Sequence, residues 1–316
     1  MLLAFDAQTN VVSPLIFGIF QGSAYGLLGL GLVLIYKSNR IFNFAQGEFA
    51  TAGALTAVFF VNGTEVFGIG VPKVPYGVAV LFGITVSVLI ALATERVVIR
   101  PLFDQPRVVV VVGTVGVALF LIAVEGSAFP FSGQLPSVSD ALGVGTVAAR
   151  VQDVAILTHD LAKLLVLIAL AIAAYLFFRH TATGTAILAV SQDATAARVV
   201  GISVERISMI TWGIAGLLGG IAGVLLAVPP LGVAPGIFTG TTLTTAFAAA
   251  VLGGMTSLPG AFLGGLVMGL VQAFANVNVN LIPGLESVHA TGEITVALFL
   301  LGVLLFRPRG LLGKAA

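Results

Sequence analysis

The chain has 316 residues, of which 58% are hydrophobic and 9% charged, and its mean hydropathy is +1.13. A soluble fold of this size carries roughly 25% charged residues to cover its surface, so most of this surface faces lipid. The net charge of +1 without a basic block argues against nucleic-acid binding and disorder, and the absence of cysteine excludes disulfides, thiolate chemistry and Cys-ligated metals.

The N-terminus, Met1-Leu2-Leu3-Ala4-Phe5-Asp6, has no positive n-region and is not expected to be a cleaved signal peptide. A membrane helix needs about 20 mostly apolar residues. Apolar runs of this kind lie near 14–36, 44–62, 75–94, 108–124, 161–178, 208–228, 240–257, 260–280 and 291–306. They are too long and continuous for the alternating strands of a barrel. The expected fold class is all-α, a polytopic transmembrane helix bundle forming one domain over 1–316. The run at 240–257 opens on Thr239, Thr241, Thr242, Thr244 and Thr245. If it is re-entrant, nine spans become eight.

Lys and Arg collect on the cytoplasmic side of a membrane. Lys37 and Arg40 follow the first run, and Arg96, Arg100 and Arg107 follow the third. Arg179, Arg198 and Arg206 follow the fifth, and Arg307, Arg309 and Lys314 end the chain. The intervening connections hold only Lys73 and Arg150 among Lys and Arg residues. The 125–160 connection is acidic, with Glu125, Asp140, Asp153 and Asp160, while 229–239 carries no charge and 281–290 only Glu286 and His289. This alternation predicts nine spans with the N-terminus outside and the C-terminus cytoplasmic.

Glycines recur at i, i+4 spacing: Gly18, Gly22 and Gly26; Gly216 with Gly220; Gly219 with Gly223; Gly260 with Gly264; Gly265 with Gly269. Such stripes give a smooth helix face that a neighbouring backbone approaches closely. Helix packing within the chain is the expected use, with contact to a partner membrane subunit as the other. No fixed-period repeat and no duplication between halves is visible in the sequence.

No GxxxxGK[ST] phosphate loop, HExxH, GxSxG or SxxK motif occurs, and His159, His180 and His289 lie far apart. No catalytic set, metal site or cofactor site is therefore expected. Intramembrane acids are sparse: Glu48 and Glu95 are placed near cytoplasmic ends, and Glu293 near an outer end. Glu48 is expected to pair with Arg40. Ion-coupled carriers usually need charged partners inside their spans, so if the chain moves a solute, the energy is expected from something other than an internal ion site.

Segment 183–207 reads TGTAILAVSQDATAARVVGISVERI. Gly184 is expected to break the preceding helix, Ser191 to serve as N-cap, and Asp193 to sit in the first turn beside the positive helix end. Ala194, Ala196 and Ala197 favour helix, and Gly201 is a natural stop. This is a short helix of small side chains on the predicted inner side, suited to a partner's groove, although an ordinary surface helix reads the same way.

Ala196-Ala197-x3-Gly201 resembles the front half of the EAA loop of bacterial ABC importer permeases, whose short helix docks on the ATPase subunit. The wider run Ala196 to Ile202 is similar to that of branched-chain amino acid permeases of the LivH type. Ser23 to Leu27 with Gly31-Leu32, Arg40 to Glu48, Glu95-Arg96 with Arg100-Pro101-Leu102, Ala249 to Gly254 with Ser257 to Ala261, and Phe306 to Gly313 resemble further stretches of that family in the same order. Thr195 stands where the EAA loop usually has Glu, Gln46 where these permeases often have His, and Thr245 in place of an expected Lys.

The resemblance implies an inner-membrane permease subunit of an ATP-binding-cassette importer. Its cargo would be a branched-chain or other amino acid, or a small metabolite such as an amide or urea. It also implies a second homologous permease subunit, two ATP-binding subunits and a periplasmic substrate-binding protein as partners, with lipid around the bundle. Coupling to the ATPase would fall to Ser191, Asp193, Ala196, Ala197, Arg198 and Gly201. Polar residues in otherwise apolar runs are candidates for the substrate path: Gln21, Ser23, Asn43, Gln46, Thr244, Thr245, Gln272 and Asn276. For each of these, a structural hydrogen bond between helices is the competing role. A stand-alone secondary carrier or channel is the rival reading, and the 183–207 segment separates the two.

Overall fold

The computed structural model describes residues 11–63, 65–66, 68–128, 146–151, 154–228, 232–278, 291–307 and 310. Asp140, Asp153, Glu286, His289, Arg309 and Lys314, used above in assigning sides, lie outside these.

The described residues form eleven α-helices: α1 (Val12–Asn39), α2 (Gln46–Asn62), α3 (Tyr76–Thr94), α4 (Arg107–Ala128), α5 (Thr158–His180), α6 (Ala182–Gln192), α7 (Ala194–Val199), α8 (Val204–Leu226), α9 (Leu243–Gly253), α10 (Leu258–Asn278) and α11 (Thr291–Phe306). A π-helical turn, Glu95–Ile99, extends α3, and another, Phe238–Thr242, leads into α9. Two small antiparallel ribbons, β1 (Glu65–Val66) with β2 (Ile69–Gly70) and β3 (Val147–Val151) with β4 (Val154–Leu157), connect helices. Each of the nine apolar runs coincides with a helix.

Among the described residues six helices are long and apolar enough to cross a membrane: α1, α3 with its extension, α4, α5, α8 and α10. The other three are shorter. At 1.5 Å per residue, the 17 residues of α2 span about 25 Å, less than the roughly 30 Å of a hydrocarbon core. The remaining two are the helical stretch over 238–253 and α11.

The glycine stripes are used inside this chain. A Cβ added at Gly22 would stand 2.8 Å from Leu266 Cα, and one at Gly18 2.7 Å from Leu270 Cα, so α1 and α10 lie backbone against backbone. They run antiparallel, because Gly18 meets Gly269 and Leu270 while Gly26 meets Phe262 and Gly265. The same relation recurs between α3 and α8. There Gly213 faces Leu92, Gly216 faces Ala91 and Val88, and Gly220 faces Ile84.

These pairings reveal an order that the sequence hides. In α1–α2–α3, the second helix packs on the third. In α8–α9–α10, the second again packs on the third, Gly264 against Ala249 and Gly260 against Gly253. The first helix of each unit packs on the third helix of the other. Two three-helix units thus clasp each other reciprocally, the contact pattern of an inverted repeat. The main buried cluster runs through them: Leu27, Leu28 and Val33 of α1, Leu55 and Phe59 of α2, Leu225 of α8 and Ala250 of α9. By contrast α4, α5 and α11 lie outside and expose large apolar side chains such as Val108, Phe120, Leu165 and Leu298, as lipid-facing helices do.

Candidate functional site

Two places concentrate the polar residues singled out above. The first is where α2 and α9 begin. Arg40 closes α1 in the left-handed conformation at φ 56, its N–H donating to the Tyr36 carbonyl at 2.9 Å. The chain then turns back into the bundle instead of leaving it. Asn43 shapes this re-entrant loop: its Oδ1 accepts from Ala45 N–H at 3.1 Å and its amide faces Gln46 Oε1 at 3.3 Å. Thr114 of α4 holds the loop from outside, its hydroxyl accepting from Phe44 N–H at 3.2 Å and donating to the Val111 carbonyl at 2.7 Å.

Gln46 opens α2 at the level of Gly31, well inside α1, and donates to the Ala215 carbonyl of α8 at 2.9 Å. Gly31 and Gly219 leave the space that its amide fills. The π-turn at 238–242 arrives from the opposite direction, and Gly47 lies directly against the Thr239 backbone. Two helix N-termini therefore meet in the interior. Inside a bilayer, such broken segments persist only where protein or a cavity covers their backbone.

Beside this junction lies a cavity of about 160 Å³, lined by Leu32, Phe42, Asn43, Phe44, Thr239, Leu243, Thr244 and Phe247. Phe42 and Phe247 meet edge to face with centroids 5.2 Å apart. A larger cavity of about 430 Å³ lies among α1, α5, α10 and α11, with Thr242 of the π-turn in its wall. Gln21, Tyr25, Gln272, Asn276 and Glu293 give it a polar side. Four of them form a chain: Gln21 donates to the Tyr25 hydroxyl (3.2 Å), which donates to Gln272 Oε1 (2.5 Å), and the Gln272 amide donates to Glu293 Oε1 (3.1 Å). The Thr-rich turn thus touches both cavities.

The candidate path residues divide accordingly. Gln21, Gln272 and Asn276 line the larger cavity, and Asn43 and Thr244 the smaller. Gln46 and Thr245 are buried and line neither. Ser23 is buried and donates to Ile19 O at 2.8 Å, a bond within its own helix.

The second place is the segment after α5. Gly184 does not break a helix; it sits inside α6, where a Cβ would strike the Phe177 carbonyl. The break falls at Thr181, which is extended and caps α6 by accepting from Gly184 N–H at 3.0 Å. Ser191 is not an N-cap: it lies in the last turn of α6, donating to the Leu188 carbonyl at 2.7 Å. Asp193 takes that role for α7, its Oδ1 accepting from Thr195 and Ala196 N–H at 2.8 and 3.0 Å. Both are capping residue types; the carboxylate adds the charge that a helix N-terminus favours. Gly201 stops the segment at φ +86, as expected, and a Cβ built there would meet nothing within 4 Å.

Ala197 corrects the expected docking face. It is 3% exposed and packs with Ile187, Val190 and Ile207, so its smallness serves this chain's own fold. Exposure falls instead on Ala196 and on Val199 and Val200, which are 83% and 75% exposed. The segment is tied to the bundle by Arg40, which donates to the Ser191 carbonyl at 2.6 Å, and by Arg100, which pairs with Glu95 at 3.0 Å and reaches the Glu205 carbonyl at 3.3 Å. Arg198 pairs with Glu205 at 3.3 Å on the surface, a contact of small energy.

Two expectations about acids are also corrected. Glu48 does not meet Arg40, whose guanidinium is engaged at Ser191; it is fully buried in the first turn of α2. Glu125 is not part of an outer loop but a buried residue of α4, and its carboxyl group neighbours that of Glu48. The hydropathy of the run falls off at residue 124, which hid the last turn of the helix. Nothing in the sequence links two positions so far apart.

With this geometry in hand, comparison with known proteins is decisive. The family described as branched-chain amino acid transport system / permease component matches residues 15–306. The chain belongs to this permease family. It is 30% identical over 312 residues to the high-affinity branched-chain amino acid transport system permease protein BraD of Pseudomonas aeruginosa, covering 96% of each chain. It is 28% identical to the LivH permease proteins of Salmonella typhimurium and Escherichia coli K12, with 94% of each chain covered. It is accordingly an inner-membrane transport subunit of the ATP-binding-cassette importer type.

Proposed function

We propose that this permease moves a small zwitterionic or polar solute, with aliphatic amino acids first among candidates, using ATP hydrolysed by separate subunits. The carrying observation is the α6–α7 segment. A short helix capped by Asp193, stopped by Gly201 and fastened by Arg40 and Arg100 presents two bare valines outward. Exposed Val199 and Val200 at the end of a pinned helix suit a hydrophobic groove on an ATPase subunit. Asp193, Ala196, Arg198 and Gly201 shape or flank that surface; Ser191 and Ala197 act through the fold beneath it.

In this reading the chain crosses the membrane nine times, with the N-terminus outside and 183–207 inside. The short helices α2 and α9 begin at depth and complete their crossings with their re-entrant loops. A second homologous permease, two ATPase subunits and a periplasmic binding protein complete the importer. Solute passes from the larger cavity to the smaller across the Thr239–Thr242 turn, with Gln21, Gln272, Asn276, Asn43 and Thr244 along the way. The named cargo of the LivH and BraD relatives favours leucine-like solutes, and the aromatic walls of the smaller cavity suit an aliphatic side chain.

The test is co-expression with candidate ATPase, second permease and binding protein, purification through this chain, and ATP hydrolysis in vesicles. The expected outcome is a complex whose hydrolysis rises with loaded binding protein and whose uptake requires ATP. Uptake by this chain alone in vesicles, without ATPase subunits, would establish the secondary-carrier alternative.

A further inference from the structure

Glu48 is 0% exposed and Glu125 3%, and their carboxyl groups are neighbours. None of their four oxygens has a partner in hydrogen-bonding geometry, and the Thr239 hydroxyl beside them is likewise unpartnered. Every other carboxyl group in the described helices has an evident use: Glu95 pairs with Arg100, Asp160 with Lys163, Glu205 with Arg198, Glu293 accepts from Gln272, and Asp193 caps α7.

Among the described residues no cation faces the pair. On α2 the only charged residue is Glu48, and α3 and α9 have none. On α4 the other charge is Arg107, 18 residues away and so about 27 Å along the helix. Lys37 of α1 lies at its cytoplasmic end, and Glu205 and Arg206 of α8 lie in its first turn. Two adjacent carboxylates so placed would be two bare charges of one sign in a low-dielectric interior, which is prohibitively costly.

The surroundings do favour one negative charge. Glu48 lies in the first turn of α2, at the positive end of that helix, and the Gly236 amide faces both carboxyl groups. An N–H directed at the pair is the wrong partner for a metal cation and the right one for a carboxylate.

We infer that Glu48 and Glu125 form a buried proton-binding site, in which one proton is shared between the two carboxyl groups. The proton comes from solvent and no other bond is made or broken. The resulting O–H···O contact joins three pieces: the start of α2, the last turns of α4 and the segment 236–239 that leads into the π-turn. It fastens α4, an outer helix, to the junction beside the smaller cavity.

The test is infrared spectroscopy of the purified importer in vesicles at neutral pH, comparing the native chain with Glu48→Gln and Glu125→Gln. The expected result is a protonated-carboxyl C=O stretch that is present in the native complex, lost in either single variant and indifferent to sodium. In Glu125→Asp, which keeps the pair, the band shifts in frequency but persists, and this conservative variant guards against a folding defect. A band absent from the native complex overturns the proposal. So does one lost in only a single variant, which marks a private acid, or one abolished by sodium, which marks a cation site.

Discussion

The Gln46 side-chain amide donates to the Ala215 carbonyl at 2.9 Å across a separation of 169 residues, joining the first turn of α2 to the middle of α8. Its Oε1 faces the Asn43 amide, so both ends of the side chain are engaged. Replacement by leucine strands both partners without changing the volume much. Leaving such buried groups unsatisfied costs roughly 1–3 kcal/mol. Gln46→Leu is expected to lower the thermal midpoint of the purified complex and to reduce uptake. An unchanged midpoint would remove this bond from the account of how the re-entrant loop is held.

Two glycines separate close approach from open space. A Cβ at Gly223 would overlap the Ala50 carbonyl of α2, whereas one at Gly240 meets nothing within 4 Å. Overpacking a well-packed site costs typically about 1–3 kcal/mol, and more when backbone must move. Gly223→Ala should sharply reduce membrane abundance and Gly240→Ala should not, as read by immunoblot of membranes at equal expression.

The outward valines carry the docking prediction. Val199→Asp combined with Val200→Asp alters only exposed side chains, so the chain should reach the membrane at native abundance. Capture of the ATPase and substrate-stimulated hydrolysis should both fall to background. Ala197→Trp is a poor probe by comparison, because it disrupts the Ile187, Val190 and Ile207 cluster. Retained ATPase capture in the double variant would mean that the partner docks elsewhere.

Gly201 tests the helix stop. At φ +86 a β-branched residue strains the backbone by on the order of 1 kcal/mol or more. Gly201→Val should leave membrane insertion intact and weaken ATPase capture by misdirecting α7. Gly201→Asn, a residue that tolerates this conformation better, should restore much of it.

Sidedness has a direct measurement. The chain has no cysteine, and Thr195 is exposed beside the Asp193 cap. Thr195→Cys should resist an impermeant thiol reagent in intact cells and react once the inner membrane is opened. Labelling in intact cells would invert the assignment of sides.

The helices were legible because apolar runs of sufficient length have few alternatives, and the Gly i, i+4 stripes correctly announced close packing. Depth was not legible. Nothing local says that α2 starts beside Gly31 instead of at the surface, since that depends on Gln46 reaching Ala215. The 183–207 segment was legible in outline only: Ser191 and Asp193 are both capping types two residues apart, and tertiary contacts chose between them. Ala197 shows the same ambiguity, because a small side chain suits a partner's groove and a crowded interior equally well. The Glu48–Glu125 contact was invisible, because it depends on how α2 and α4 are arranged in space.

The reciprocal clasp of α1 on α10 and of α3 on α8 bears on which motions the subunit allows. Where glycine rests on backbone, as Gly18 and Gly22 do on Leu270 and Leu266, sliding carries the close approach off the glycines and toward neighbouring Cβ atoms that the spacing does not admit. These seams behave as keyed joints, closed to translation along their length. On the docking proposed above, a stroke delivered at Val199 and Val200 would travel as rigid tilting of the whole clasped frame. Compliance is left to the outer helices and to the turn at 238–242, the hinge pin where the two half-helices meet.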